Sequence, residues 1–181
     1  MTDTVSQTLP LKSGRWALDA LHVNVGFSIG HLGVSKVRGR FGGVDAELVV
    51  GDTLADSAVN ATVGMASLDT GNGDRDAHVL TGEFLDPENR PTLSFRSTGI
   101  EGDGDKWTLA GDLTIGEITK PVTFDVVFGG TASFYDGSVH AGFGATGQIN
   151  RQDYGVTFGE GDGMLGDIVE VELDLEFLQP G

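Results

Sequence analysis

The 181-residue chain contains no cysteine, which excludes disulfides and thiolate metal sites and leaves the redox compartment open. Basic residues are scarce: 11 lysines and arginines stand against 27 aspartates and glutamates, a net charge of -16. That balance argues against nucleic acid or an anionic membrane surface as a partner, since both need basic patches. No stretch approaches the ~18 consecutive apolar residues of a spanning helix, so stable membrane insertion is not expected. The opening MTDTVSQTLPLKSGRW has no basic segment followed by an apolar one. A secretory leader is therefore not expected, and a cytoplasmic location is. Tight metal spacings of the HxH or HExxH kind are missing. So is a G-x-S-x-G elbow around Ser28 or Ser67.

Glycine, in contrast, is plentiful at 29 residues, scattered and without a repeat. Scattered glycine among short alternating runs suits an all-β chain with many turns and bulges. The length suffices for one domain with its own core. Residues 1-13 are expected to form a flexible N-terminal segment, and 14-181 a single domain.

Period-2 alternation, the mark of a strand with one face in a core, runs through most of that domain. Between Arg15 and Gly43, Trp16 and Leu18 alternate with polar or small neighbours, as do Val23, Val25, Phe27 and Ile29. Lys36-Val50 reads as one long strand bent at Gly42-Gly43. Ser57-Leu68, Thr92-Ile100, Lys106-Ile115, Pro121-Phe128, Ser138-Asn150 and Asp167-Leu178 follow, with a turn at Glu117-Lys120. The last strand sets Val169, Val171, Leu173, Leu175 and Phe177 against a solvated acid stripe. The alternation fails from 69 to 90, where Asn72 or Asp74 can cap a short helix over about Arg75-Leu80. That segment is expected to be a helical lid. The glycine-rich run Gly159-Gly163 reads as a mobile loop between strands.

Eight or nine long antiparallel strands close most simply into a barrel, which removes their edges. Gly111, Ala61, Ala141, Ala145 and Gly147 point inward opposite phenylalanines, and such small residues leave room for a cavity.

Four segments carry a family resemblance. The first is Trp16-x-Leu18-Asp19-x-x-His22 with Val25-x-Phe27-x-Ile29-x-His31-Leu32-Gly33. The second is Ser67-Leu68-Asp69-Thr70-Gly71-Asn72, Arg75-Asp76-x-His78 and Pro91-Thr92-Leu93-Ser94-Phe95. The third joins Gly111-Asp112-Leu113-Thr114-Ile115 to Thr119-x-Pro121-Val122-Thr123. The fourth is Asn150-Arg151-x-Asp153-Tyr154-Gly155. In this order they resemble the YceI-like family over almost the whole chain. The resemblance implies an eight-stranded antiparallel, lipocalin-like barrel around an elongated apolar cavity. It also implies a long-chain amphiphile as ligand: a polyisoprenoid, an isoprenoid quinone or a similar lipid.

Such a tail gains about 0.8 kcal/mol per buried methylene, so polar groups are needed only at the mouth, to fix a head group. The mouth candidates are His22, His31, Arg75, Asp76, His78 and Arg151. Arginine suits a diphosphate and histidine a quinone carbonyl. For Asp76 and Arg151 a structural ion pair is the competing role. For Asp19 and Asn150 turn fixing is expected, and His140 is expected in solvent. The cavity candidates are Val25, Phe27, Ile29, Phe41, Val63, Met65, Phe84, Phe95, Phe124 and Phe143. A bound quinone or polyprenyl lipid is the only cofactor-like molecule expected, with no metal and no catalytic residue. A homodimer stays open. The alternative is an enzyme acting on an apolar substrate in the same cavity, with His22, His31 or Asp76 as acid or base.

Overall fold

In the computed structural model, which describes residues 7-159 and 163-181, every long alternating segment is an antiparallel strand. The strands are β1 (Gly14–His31), β2 (Ser35–Phe41), β3 (Val44–Val50), β4 (Ala58–Gly64), β5 (Leu68–Asp69), β6 (Thr92–Asp103), β7 (Lys106–Ile115), β8 (Ile118–Ser133), β9 (Val139–Asn150) and β10 (Leu165–Leu178). The one α-helix among the described residues is α1 (Gly73–Val79). Pairing of β10 with β1 closes the sheet into a barrel.

Ten strands make eight staves. β2 and β3 lie end to end along β1, which pairs with β2 from Val25 to His31 and with β3 from Gly14 to Ala17. β4 and β5 continue on their far side, β4 against β3 and β5 against β2. The expected long strand Lys36-Val50 is thus broken, not merely bent, at Gly42-Gly43. Inward residues change phase there, from Val37 and Phe41 to Val44, Ala46 and Leu48. Ser57-Leu68 likewise ends early, in a 3-10 turn at Met65–Ser67. The turn expected at Glu117-Lys120 is shorter, and β8 starts at Ile118.

β1 carries a second phase change. Leu18 pairs with Phe177 and Val23 with Leu175, so Asp19, Ala20, Leu21 and His22 stand opposite the single residue Glu176. Both Leu18 and Val23 keep inward register across this wide bulge, which pushes Leu21 into solvent.

One end of the barrel is plugged by Leu9, Trp16, Leu54 and Phe177, all buried. The described part of the N-terminal segment is packed into this plug. Gln7 O accepts from Leu54 N at 2.7 Å, and Lys12 O accepts from Trp16 Nε1 at 2.8 Å. Across the other end runs the 69-90 segment with α1. Asn72 caps α1 by accepting from Arg75 N at 3.0 Å. The glycine-rich run expected as a loop falls largely outside the described residues. Among the described residues no helix is long and apolar enough to cross a membrane.

Candidate functional site

The inward faces enclose a cavity of about 630 Å³, within the ~300–1,000 Å³ typical of small-molecule sites. All ten expected apolar residues line it: Val25, Phe27, Ile29, Phe41, Val63, Met65, Phe84, Phe95, Phe124 and Phe143. Trp107 joins them towards the plug, stacked on Phe128 with ring centroids 5.3 Å apart. A larger hollow of about 1250 Å³ runs along the outer wall, where outward residues such as Arg38, Lys120, Glu170 and Glu172 line it. It lacks the apolar enclosure that a small-molecule site uses.

The room inside has a different origin from the one expected. The inward glycines are not empty spaces, because neighbouring rings lie over them. A Cβ on Gly147 would sit 2.6 Å from Phe124 Cδ1, and one on Gly39 2.5 Å from Phe27 Cζ. At Gly111 a Cβ would fall inside contact distance of the Phe95 ring. Each glycine lets a phenylalanine lie flat along the wall, and this keeps the ring out of the lumen.

At the helix-covered end, three aromatic groups meet. Phe84 and Phe158 stack, with centroids 4.6 Å apart and planes at 25°. His78 sets its edge against Phe158 at 5.1 Å. Arg90 ties this cluster down: its Nη2 donates to Phe84 O at 2.9 Å and its Nη1 to Tyr154 O at 3.2 Å. Neither Phe158 nor Arg90 stood out in the sequence, for both lie in segments without periodicity.

Four expected mouth residues line the cavity: His31, Arg75, His78 and Arg151. Arg75 is partly committed, since its Nε donates to Thr70 Oγ1 at 2.8 Å and its Nη2 to Thr70 O at 2.7 Å. Arg151 is buried in the 3-10 turn Arg151–Tyr154, where Asn150 fixes the start as a cap. Its Nε donates to Gly166 O, and its Nη1 to Val156 O and Phe158 O. The remaining nitrogen, Nη2, has no hydrogen-bond partner among the described residues, with Asp167 Oδ1 at 3.8 Å. Tyr154 also lines the cavity, and its hydroxyl is buried with no hydrogen-bond partner among the described residues. Burial, and next the charge of Asp153, pushes the Tyr154 phenol above its ordinary value. Two cavity-lining residues thus keep a buried donor with hydrogen-bonding capacity to spare among the described residues.

Two expected mouth residues are elsewhere. Asp76 faces the start of the lid, accepting from Thr70 N at 3.0 Å and from Thr70 Oγ1 at 2.5 Å. It makes no ion pair with Arg151; each is held by its own backbone partners. His22 lies in the β1 bulge on the outer wall, because the bulge turns its side chain away from the cavity. Its Nδ1 donates to Asp19 Oδ2 at 2.8 Å. That bond, with Glu176 next, raises the imidazole above its ordinary value, and the same bond holds the Asp19 carboxyl low. Asp19 also fixes the turn, accepting from Leu21 N at 3.0 Å. His140, expected in solvent, is largely covered beside them on β9. Of the three alternative acid or base candidates, His22, His31 and Asp76, only His31 lines the cavity.

A family model for the YceI-like domain matches residues 16-177. The chain belongs to the YceI-like family. It is similar to protein YceI of Escherichia coli O157:H7, 35% identical over 136 residues, or 75% of this chain and 71% of that protein. UPF0312 protein plu2095 of Photorhabdus laumondii is 35% identical over 134 residues, 74% of this chain and 70% of its own length. Among solved structures, the YceI protein of Campylobacter jejuni matches with a TM-score of 0.75 at 27% identity, covering 84% of this chain and 90% of its own. Burkholderia cenocepacia BcnA shares the fold with a TM-score of 0.78 at 21% identity, over 88% of this chain and 98% of its own. A polyisoprenoid-binding domain from Saccharophagus degradans shares it with a TM-score of 0.66 at 12% identity, over 91% and 98%.

Proposed function

We propose that the barrel binds, stores or carries a long-chain amphiphile, a polyisoprenoid, isoprenoid quinone or similar lipid, with its tail in the cavity and its head at the α1 end. The observation that carries this reading is an apolar lumen lined in part by Arg151 and Tyr154, whose Nη2 and hydroxyl are buried with no hydrogen-bond partner among the described residues. An apolar tail supplies driving force at about 0.8 kcal/mol per methylene. The donors supply orientation, since a buried donor left unpaired costs about 1–3 kcal/mol that a head-group oxygen recovers. The polyisoprenoid-binding domain of Saccharophagus degradans, a barrel of the same fold, is in keeping with such a tail.

Native mass spectrometry of the gently purified chain tests the proposal. A co-purified amphiphile, or uptake of added prenyl lipid or quinone that is lost on filling the lumen with Phe27→Trp, is expected. Failure to find or take up any such molecule sinks it.

A further inference from the structure

We infer that the turn between β1 and β2, with the start of β10 beside it, is a docking surface for a phospholipid bilayer, set at the mouth of the cavity. Of the eight large apolar side chains exposed among the described residues, Leu32, Val34, Met164 and Ile168 belong to these two paired segments. Leu32 N donates to Met164 O at 2.9 Å, which joins the segments into one rim. His31, Ser35, Met164 and Leu165 from the same segments line the cavity, so the rim is part of its mouth.

The turn itself is built against its local preference. Leu32 has φ 55° and Gly33 φ 70°, and Val34 N donates back to His31 O at 3.1 Å. Two successive left-handed residues in a hairpin turn are the place for Asn-Gly or Asp-Gly. A leucine pays a steric penalty there. It is nevertheless 56% exposed, and Val34 beside it 83%. A strained position that holds aliphatic side chains out in solvent points to a partner that covers them.

Charge selects the partner. No aspartate or glutamate stands between Asp19 and Asp45, whereas Lys36, Arg38 and Arg40 follow the turn on β2. The net charge of -16 therefore has a local exception at the mouth. Lys36 meets Glu170 at 3.3 Å and Arg40 meets Asp69 at 3.5 Å, while Arg38 makes no ion pair among the described residues. Along an extended strand, Lys36 stands about 7 Å behind Val34 and Arg38 about 13 Å. An interfacial element buries its apolar face about 5–10 Å deep, at the boundary of head groups and acyl chains. With Leu32 and Val34 at that depth, Lys36 and Arg38 on their long stems reach the phosphates. A second copy of the chain is a poorer occupant. Four partly exposed side chains fall well short of the ~800 Å² that each partner of a stable dimer buries, and both copies carry -16. The inference rests on the cavity being a lipid site only in its purpose, because a mouth held on a bilayer lets an apolar tail pass without crossing water.

The test measures co-sedimentation of the full chain with vesicles of phosphatidylcholine and phosphatidylglycerol. The salt is about 0.15 M, where charges beyond about 8 Å are screened. The parent should associate. Leu32→Asn and Val34→Ser should each weaken association about tenfold, and Arg38→Gln about fivefold. Leu21→Asn, which removes an exposed aliphatic from the β1 bulge away from the mouth, should not. Asparagine suits the left-handed turn, so Leu32→Asn should melt at or above the parent temperature. No association with vesicles overturns the inference. So does full association of both Leu32→Asn and Val34→Ser, or an equal loss in Leu21→Asn. A dimer in sedimentation equilibrium that Leu32→Asn dissociates would give the patch to a second copy and overturn it as well. Vesicle association without uptake of any lipid would leave docking standing and sink the cavity reading alone.

Discussion

Phe84 and Phe158 close the lid end of the cavity as one stacked pair, their centroids 4.6 Å apart. Phe84 comes from the 69-90 segment and Phe158 from the chain after the Arg151–Tyr154 turn, so the stack joins two covers that Arg90 and His78 also link. An aromatic pair contributes about 0.5–1.5 kcal/mol beyond its buried area. Phe158→Ala should therefore favour the open mouth by roughly 2- to 10-fold, the same energy as a ratio. A fluorescent long-chain probe should leave faster by that factor in stopped-flow release. Unchanged release would show that ligands pass elsewhere.

The ring-over-glycine packing gives a second prediction. Gly111→Ala puts a Cβ inside contact distance of the Phe95 ring and 2.6 Å from Arg96 O. The ring must swing into the lumen, and overpacking of this kind costs typically about 1–3 kcal/mol. Urea denaturation should show that loss, together with a reduced capacity for the probe. Adding Phe95→Leu should recover part of both. If Gly111→Ala keeps full stability and capacity, the glycine is not what holds the ring aside.

How much of this was legible in the sequence depended on whether a signal was local. The strands were legible because Val169 to Phe177 and their like alternate without interruption, and alternation states which side faces in. Nine of the ten cavity residues followed from the same rule, and Phe84 lies in the segment where alternation fails. The two phase slips were there to read as well: Trp16 and Leu18 are even, Val23 to Ile29 odd. That parity change requires a bulge at Asp19-His22 and so moves His22 off the cavity wall. What no local signal could carry was partnership across strands. Glu176 looked like one acid among four on a solvated stripe, and His140 like a lone surface histidine. Only the register of β9, β10 and β1 brings them to Asp19. Arg151 was legible as a motif residue, but its carbonyl partners lie in an aperiodic stretch.

Asp76 makes the lid's start a rigid joint. It accepts from both the backbone and hydroxyl of Thr70, while Arg75 binds the same threonine from the other side. Asp76→Ala removes hydrogen bonds to a charged acceptor, each contributing about 1.5–3 kcal/mol. The loss should stay local: amide hydrogen exchange across α1 should speed up about tenfold or more, with the barrel strands unaffected. Exchange that quickens throughout the barrel would show that the lid and barrel open as one unit.

Tyr154 gives a prediction whose sign separates storage of a ligand from support of the fold. Its hydroxyl is buried and has no hydrogen-bond partner among the described residues. Removing it should cost the empty protein nothing, and can stabilise it by about 1 kcal/mol, since an unpaired buried polar group is a penalty. Tyr154→Phe should therefore melt at or above the parent temperature while holding an amphiphile with an acceptor head group less tightly. The pH dependence follows from the raised phenol. In the unfolded chain a tyrosine ionises near pH 10. Below that value both states keep the proton and the full contribution is present. As pH climbs past 10 towards the higher folded value, the unfolded state gives up its proton first and stability falls. Urea midpoints at neutral and strongly alkaline pH should show this extra loss in the parent but not in Tyr154→Phe. A phenylalanine variant less stable at neutral pH would assign the hydroxyl a structural partner and remove it from the ligand site.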